Sequence, residues 1–165
     1  MNLCLMRHGI AIDREDPACP PEPERHLTEK GMERTRAAAR GLRTLGIQPD
    51  FVLSSPYLRA MQTAEIACVV LEIAVSSIRQ TEALLPGASP RLLFEELSKS
   101  KSEDAICFGH APNLDDVIAA AVHAAKPCTQ LKKAGAACLE MDSLQPVDGR
   151  LIWLMTARAL RELRD

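Results

Sequence analysis

The stretch NLCLMRHG, residues 2–9, passes without a break from the apolar run Leu3-Cys4-Leu5-Met6 to Arg7, His8 and Gly9. A short apolar run bounded in this way reads as a buried strand, and its charged end as a place where something of opposite charge is met. The pattern recurs along the chain. DFVLS (50–54), SSIRQT (76–81), DAICFG (104–109), AACLEM (136–141) and RLIWLMT (150–156) are five further strand candidates.

Helical periods lie between them. Thr28 is placed to cap a helix that runs to Leu45 and stops at Gly46, with Leu27 and Met32 spaced as a hydrophobic staple. Ser55 and Pro56 open a second helix through YLRAMQTAEIACVVLE, and Ser89-Pro90 a short third to Leu97. Pro112 opens a fourth through NLDDVIAAAVHAA, and ARALRELR (157–164) is a fifth. Strands alternating with helices predict an α/β fold, a three-layer sandwich with a mostly parallel central sheet. At 165 residues the expectation is a single domain over 1–165.

Composition narrows the function classes. The net charge is −2 and aromatic residues make up 3%, so the chain lacks the basic face and stacking platform of nucleic-acid binders. Neither a basic leader with a long apolar stretch nor about 18 consecutive apolar residues is present, so the expected location is the cytoplasm, with no membrane partner. The six cysteines form no C-x-x-C pair, and neither a zinc site nor a disulfide framework is indicated.

In a parallel sheet, ligands bind beyond the carboxyl ends of the strands. The first strand ends in Arg7-His8-Gly9. The second leads into SSPYLRAMQTA, with Arg59 one turn inside a helix. The fourth ends in Gly109-His110, followed by Asn113 at another helix start. Two arginines, two histidines and two helix N-termini on one sheet edge make an anion site, and the guanidinium fork suits phosphoryl oxygens. Gly9 leaves room for backbone to approach the phosphate, and Asn113 either donates to it or caps its helix. Neighbouring cations disfavour protonated histidine, so His8 is expected neutral and nucleophilic, poised for in-line attack on phosphorus.

Other groups have plainer readings. Thr63, one turn beyond Arg59, either steadies it or, on the plainer reading, is a helix-surface threonine. Asp115-Asp116, Glu95-Glu96 and Lys132-Lys133 are solvated charges, and no metal site is expected from them. His26 is exposed and His123 structural. Cys19 and Arg25 in CPPEPER have the C-x5-R spacing of cysteine-dependent phosphatases, but three of the five intervening residues are proline and two are glutamate. That loop cannot turn N–H groups onto an anion.

LMRHG, SSPYLRAMQTAE and FGHAPNL, in this order and at these separations, resemble the motifs of the histidine phosphatase superfamily, also called phosphoglycerate-mutase-like. The short chain, with LKKAGAACLEM and GRLIWLMTARAL, is similar to its SixA-type branch of phosphohistidine phosphatases. The resemblance implies that His8 is transiently phosphorylated, that Arg7, Arg59 and His110 hold the phosphoryl group, and that no metal or organic cofactor is used. Larger phosphomonoesterases of the superfamily carry a carboxylic acid that protonates the leaving oxygen. In QTEALLPGASP, Glu82 is the one carboxylate and the possible general acid. Imidazole, with a pKa of about 6.5, leaves readily without an acid, so a site lacking one favours phosphohistidine. The expected partner is a phosphorylated protein, such as a phosphorelay domain in signal transduction, entering an open pocket without a cap. The alternatives are a small phosphorylated metabolite with Glu82 as acid, and a non-catalytic module that binds phosphoproteins.

Overall fold

The chain, described for residues 1–163 by a computed structural model, forms a six-stranded sheet. Arg164 of the predicted last helix lies outside the described residues. The strands are β1 (Asn2–Arg7), β2 (Phe51–Ser54), β3 (Arg79–Gln80), β4 (Asp104–Gly109), β5 (Ala136–Leu144) and β6 (Val147–Met155), ordered β3-β2-β4-β1-β5-β6. The first four neighbours pair in parallel; β5 is antiparallel to both β1 and β6. The carboxyl ends of β1, β2 and β4 therefore share one edge.

Successive strand side chains point to opposite faces, and β1 feeds two cores. Leu3 and Leu5 join Phe94 and Leu97 of α3 (Pro90–Ser100) and Leu114, Val117 and Ile118 of α4 (Asn113–Ala121). Cys4 and Met6 join Ala38, Ala39 and Leu42 of α1 (Glu29–Thr44), Ala64 and Ala67 of α2 (Leu58–Val70), and Leu160 of α5 (Ala157–Glu162). Burial on both sides is why β1, β2 and β4 carry continuous apolar runs, at residues 3–6, 51–53 and 105–108, rather than alternating.

Thr28 caps α1 as expected, its hydroxyl accepting from the Gly31 amide at 3.0 Å. Gly31 is where α1 meets the chain leaving β1: a Cβ there would lie 2.0 Å from the Ile10 carbonyl oxygen.

Several boundaries differ from expectation, among them those of the third helix, which runs on to Ser100, and the fourth, which ends at Ala121. The second helix begins at Leu58 with Tyr57 at its cap, so Ser55 lies ahead of the cap position, its hydroxyl accepting from the Tyr57 amide and standing beside His110. The third strand shrinks to Arg79–Gln80, both exposed on the sheet edge where burial contributes little to pairing. The last two strands are longer than their apolar cores, because charges also pair across them. Arg150 Nη2 donates to Glu140 and Asp142, each at 3.1 Å. Among the described residues no helix is long and apolar enough to cross a membrane.

Candidate active site

Hydrogen bonds between strand ends bring the three expected segments together. The His8 amide donates to the Gly109 carbonyl and the Ser55 amide to the Phe108 carbonyl, both at 2.9 Å. The His8 and His110 rings lie 5.1 Å apart. Tyr57 stands edge-on to His110 at 5.3 Å, and the Arg59 guanidinium lies over the Tyr57 ring at 5.0 Å. His8, Arg59 and His110 are 7%, 2% and 1% exposed. The site is thus recessed rather than open.

His8 Nδ1 is 2.7 Å from the Gly9 carbonyl oxygen. A carbonyl only accepts, so Nδ1 carries the hydrogen and Nε2 keeps its lone pair. Burial pushes the His8 pKa down to about 2, opposed by the Gly9 carbonyl and reinforced by His110, Arg59 and Arg7. His110 falls to about 3, again through burial first and then Arg59. Both rings are neutral at pH 7. The arginines named in the sequence contribute, but desolvation is the larger cause.

Three buried nitrogens, Arg7 Nε, Arg59 Nε and His110 Nδ1, have no partner within the described protein, and neither has the Thr35 hydroxyl. Ser55 Oγ accepts from the Tyr57 amide at 3.3 Å and stands 2.8 Å from His110 Nε2. With the hydroxyl hydrogen directed to Nε2, the ring hydrogen stands on Nδ1 and can be donated. An unmatched buried donor costs about 1–3 kcal/mol. One comes from each of the three strand ends, and a tetrahedral oxyanion offers acceptors for all of them.

Other expected contacts are used differently. Gly9 does not open space for a ligand, because a Cβ there would meet Thr35 Oγ1 at 2.4 Å. Its amide donates to Thr63 Oγ1 at 3.0 Å and its carbonyl holds His8. Thr63 is no surface residue: it is fully buried, and its hydroxyl donates to the Arg59 carbonyl at 2.7 Å, joining α2 to the end of β1. Asn113 neither caps α4 nor has a hydrogen to spare, since Nδ2 donates to the carbonyls of Ala88 at 2.9 Å and Ala83 at 3.4 Å. Glu82 is exposed and lines a groove with Phe51, Arg79, Leu92 and Glu96, apart from His8 and His110.

Two carboxylates have roles that their sequence context hid. Asp115, read as a solvated charge, is buried and accepts from Thr129 Oγ1 at 2.7 Å and the Leu131 amide at 2.8 Å. The Leu131 carbonyl in turn accepts from Arg7 Nη1 at 2.9 Å. Glu22, from the proline-rich loop, lies against Arg59: its Oε1 and its carbonyl accept from Nη2 and Nη1, both at 2.8 Å. Arg14 and Arg25 also donate to Glu22, and these guanidinium groups hold its carboxyl down at about 2. No local signal announces Glu22, because an irregular loop has no period from which to read where its side chains point.

Among the described residues no cluster of three His, Cys, Asp or Glu is arranged to hold a metal. Burial pushes the thiols of Cys4, Cys68, Cys107 and Cys138 up, so they remain protonated and unreactive.

Comparison with known proteins bears on this geometry. Residues 3–85 match the histidine phosphatase superfamily (branch 1). An uncharacterized protein of Picosynechococcus is 34% identical over 123 residues, 70% of each chain. The mitochondrial serine/threonine-protein phosphatase Pgam5 of Drosophila persimilis is 31% identical over 87 residues, 53% of this chain and 29% of that protein's length. The structure of the protein histidine phosphatase SixA complexed with tungstate superposes with a TM-score of 0.85 at 26% identity, covering 97% of this chain and 99% of that one.

Proposed function

From the premise that the chain belongs to the histidine phosphatase superfamily, we propose that it is a phosphohistidine phosphatase of the SixA type, acting through a covalent His8 intermediate. The observation that carries this is the buried, uncharged His8 ring, its Nδ1–H fixed on Gly9 and its Nε2 lone pair unused. In this reading residues 1–163 form one domain whose two cores and central sheet make three layers.

Nε2 attacks phosphorus in line. The bond from phosphorus to the substrate imidazole, whose other ring nitrogen has taken a proton from solvent, breaks; its electron pair stays on the departing nitrogen, the ring leaves neutral, and a phosphohistidine forms at His8. Water then attacks phosphorus, and the P–Nε2 bond breaks with its electron pair returning to His8. The water proton passes to solvent, and inorganic phosphate leaves. Arg7, Arg59 and His110 donate to the equatorial oxygens, where charge accumulates.

The state of the carboxylates supports phosphohistidine over an alkyl ester. An alkoxide needs a proton as it leaves, whereas imidazole leaves as the neutral ring. Glu82 faces another groove, and Glu22 is held ionised by arginines. Neither is a proton donor to the group departing from His8.

Turnover of a phosphohistidine peptide, set against a sugar phosphate, tests the reading. The expected result is a preference for phosphohistidine of at least about tenfold in kcat/KM, with an acid-labile phosphoenzyme that is absent from His8→Ala. Faster sugar-phosphate turnover that Glu82→Gln abolishes would assign the chain to small phosphomonoesters. Phosphopeptide binding with no phosphate released would make it a recognition module.

A further inference from the structure

A second feature adjoins this site. Where β1 ends, four elements deliver cations to one groove of about 580 Å³: Arg7 from β1, Arg34 from α1, Lys132 and Lys133 from the turn before β5, and Arg158 and Arg161 from α5. No carboxylate lines it, although the chain has 22 acidic residues against 20 basic ones. The concentration is therefore local and opposite in sign to the whole. Among the described residues, Arg158 pairs with Glu162 on the solvent side and Lys132 donates to Gln130.

The groove is built onto the catalytic strand. The Ala134 amide donates to the carbonyls of both Arg7 and His8, at 3.1 Å each, and the Arg7 amide donates to the Gly135 carbonyl at 3.0 Å. The lysine turn is thus fixed to the backbone that presents His8. Arg7 belongs to the groove and to the phosphoryl site at once.

We propose that this groove docks an acidic segment of the phosphorylated protein substrate, aligning its phosphohistidine with His8. The inference rests on the phosphohistidine reading for what the site acts upon, but the groove's preference for acidic protein stands on its own observations. Lys132, Lys133 and Arg158 are exposed on the groove's rim. Long, solvated cations in that position attract an extended acidic surface, whereas a small anion is held by enclosed donors. The recessed imidazoles require a substrate that inserts one narrow side chain while its bulk remains outside. No aromatic residue lines the groove to stack a base, which favours protein over nucleic acid.

The test uses two phosphohistidine peptides of equal length, one flanked by Asp and Glu and the other by Gln and Ser, together with free phosphohistidine. For the acidic peptide the expected KM is lower by about tenfold. That advantage should vanish in the double variant Lys132→Gln/Lys133→Gln and in about 0.5 M salt, with hydrolysis of free phosphohistidine unchanged. Equal KM values in the wild type, or an advantage that survives the double variant, overturn the proposal. Calorimetric binding of the unphosphorylated acidic peptide separates the two claims. Binding that the double variant loses, in a protein that hydrolyses no phosphohistidine, upholds the groove and removes the catalytic reading. A DNA oligonucleotide that binds as tightly as the acidic peptide overturns the assignment to protein.

Discussion

His8 and Arg59 show how single side chains are prepared for an anion. The Gly9 carbonyl fixes one tautomer of His8, and burial keeps the ring uncharged. Arg59 is prepared differently, because Glu22 occupies both of its terminal nitrogens. In the proposed reaction a phosphoryl group on the same guanidinium would compete with that carboxylate, and the loop would weaken retention of the product. Glu22→Gln removes the charge and keeps the shape. The inhibition constant of inorganic phosphate is expected to fall by about tenfold in this variant, the scale of one charge-assisted hydrogen bond. An unchanged or weaker inhibition would show that Glu22 only supports Arg59. The sequence anticipated that His8, Arg59 and His110 come together because each follows or opens a regular element. It missed Glu22, which sits in a loop, and misread Thr63 and Asp115, whose helix faces look inward.

At the scale of elements, the site depends on how closely α1 approaches the end of β1. Gly31 lies against the Ile10 carbonyl, and Gly9 against Thr35. A methyl group at residue 31 has no free volume, and the atom it meets is backbone, which yields less readily than a side-chain tip. Gly31→Ala is expected to lower stability by about 1–3 kcal/mol, measured by urea denaturation, and to reduce turnover by shifting the His8 backbone. A variant as stable as the wild type would mean that α1 slides without penalty. The Asp115–Leu131–Arg7 chain of hydrogen bonds is a second coupling between elements. It ties α4 to the turn that carries Lys132 and Lys133, so one support serves both the proposed phosphoryl site and the basic groove.

For the whole molecule, the two buried imidazoles tie stability to pH. The unfolded chain protonates His8 and His110 near 6.5, whereas the folded chain resists until about 2 and 3. Both folded values are depressed, so this stability is fully present above pH 6.5 and is lost as pH falls toward 3. Each ring contributes a slope of up to about 1.4 kcal/mol per pH unit. Glu22, with its folded value also lowered, adds its own loss only below about 4.5. Unfolding free energy measured from pH 6.5 to 5 should therefore fall with a slope smaller in His110→Gln than in the wild type by about half a proton at pH 6.5, approaching one proton at pH 5. Equal slopes would place the His110 ring in water. By itself the sequence determined the alternation of strands and helices, the shared edge of three parallel strands and the arginines and histidines gathered at their ends, because these follow from period and residue chemistry within a few positions. Only the tertiary structure decided that the site is recessed, that Glu22 closes over Arg59, that Asp115 supports Arg7 and that six cations meet in one groove. Those depend on which distant segments pack together and on how far water is excluded between them, and neither is encoded by local pattern.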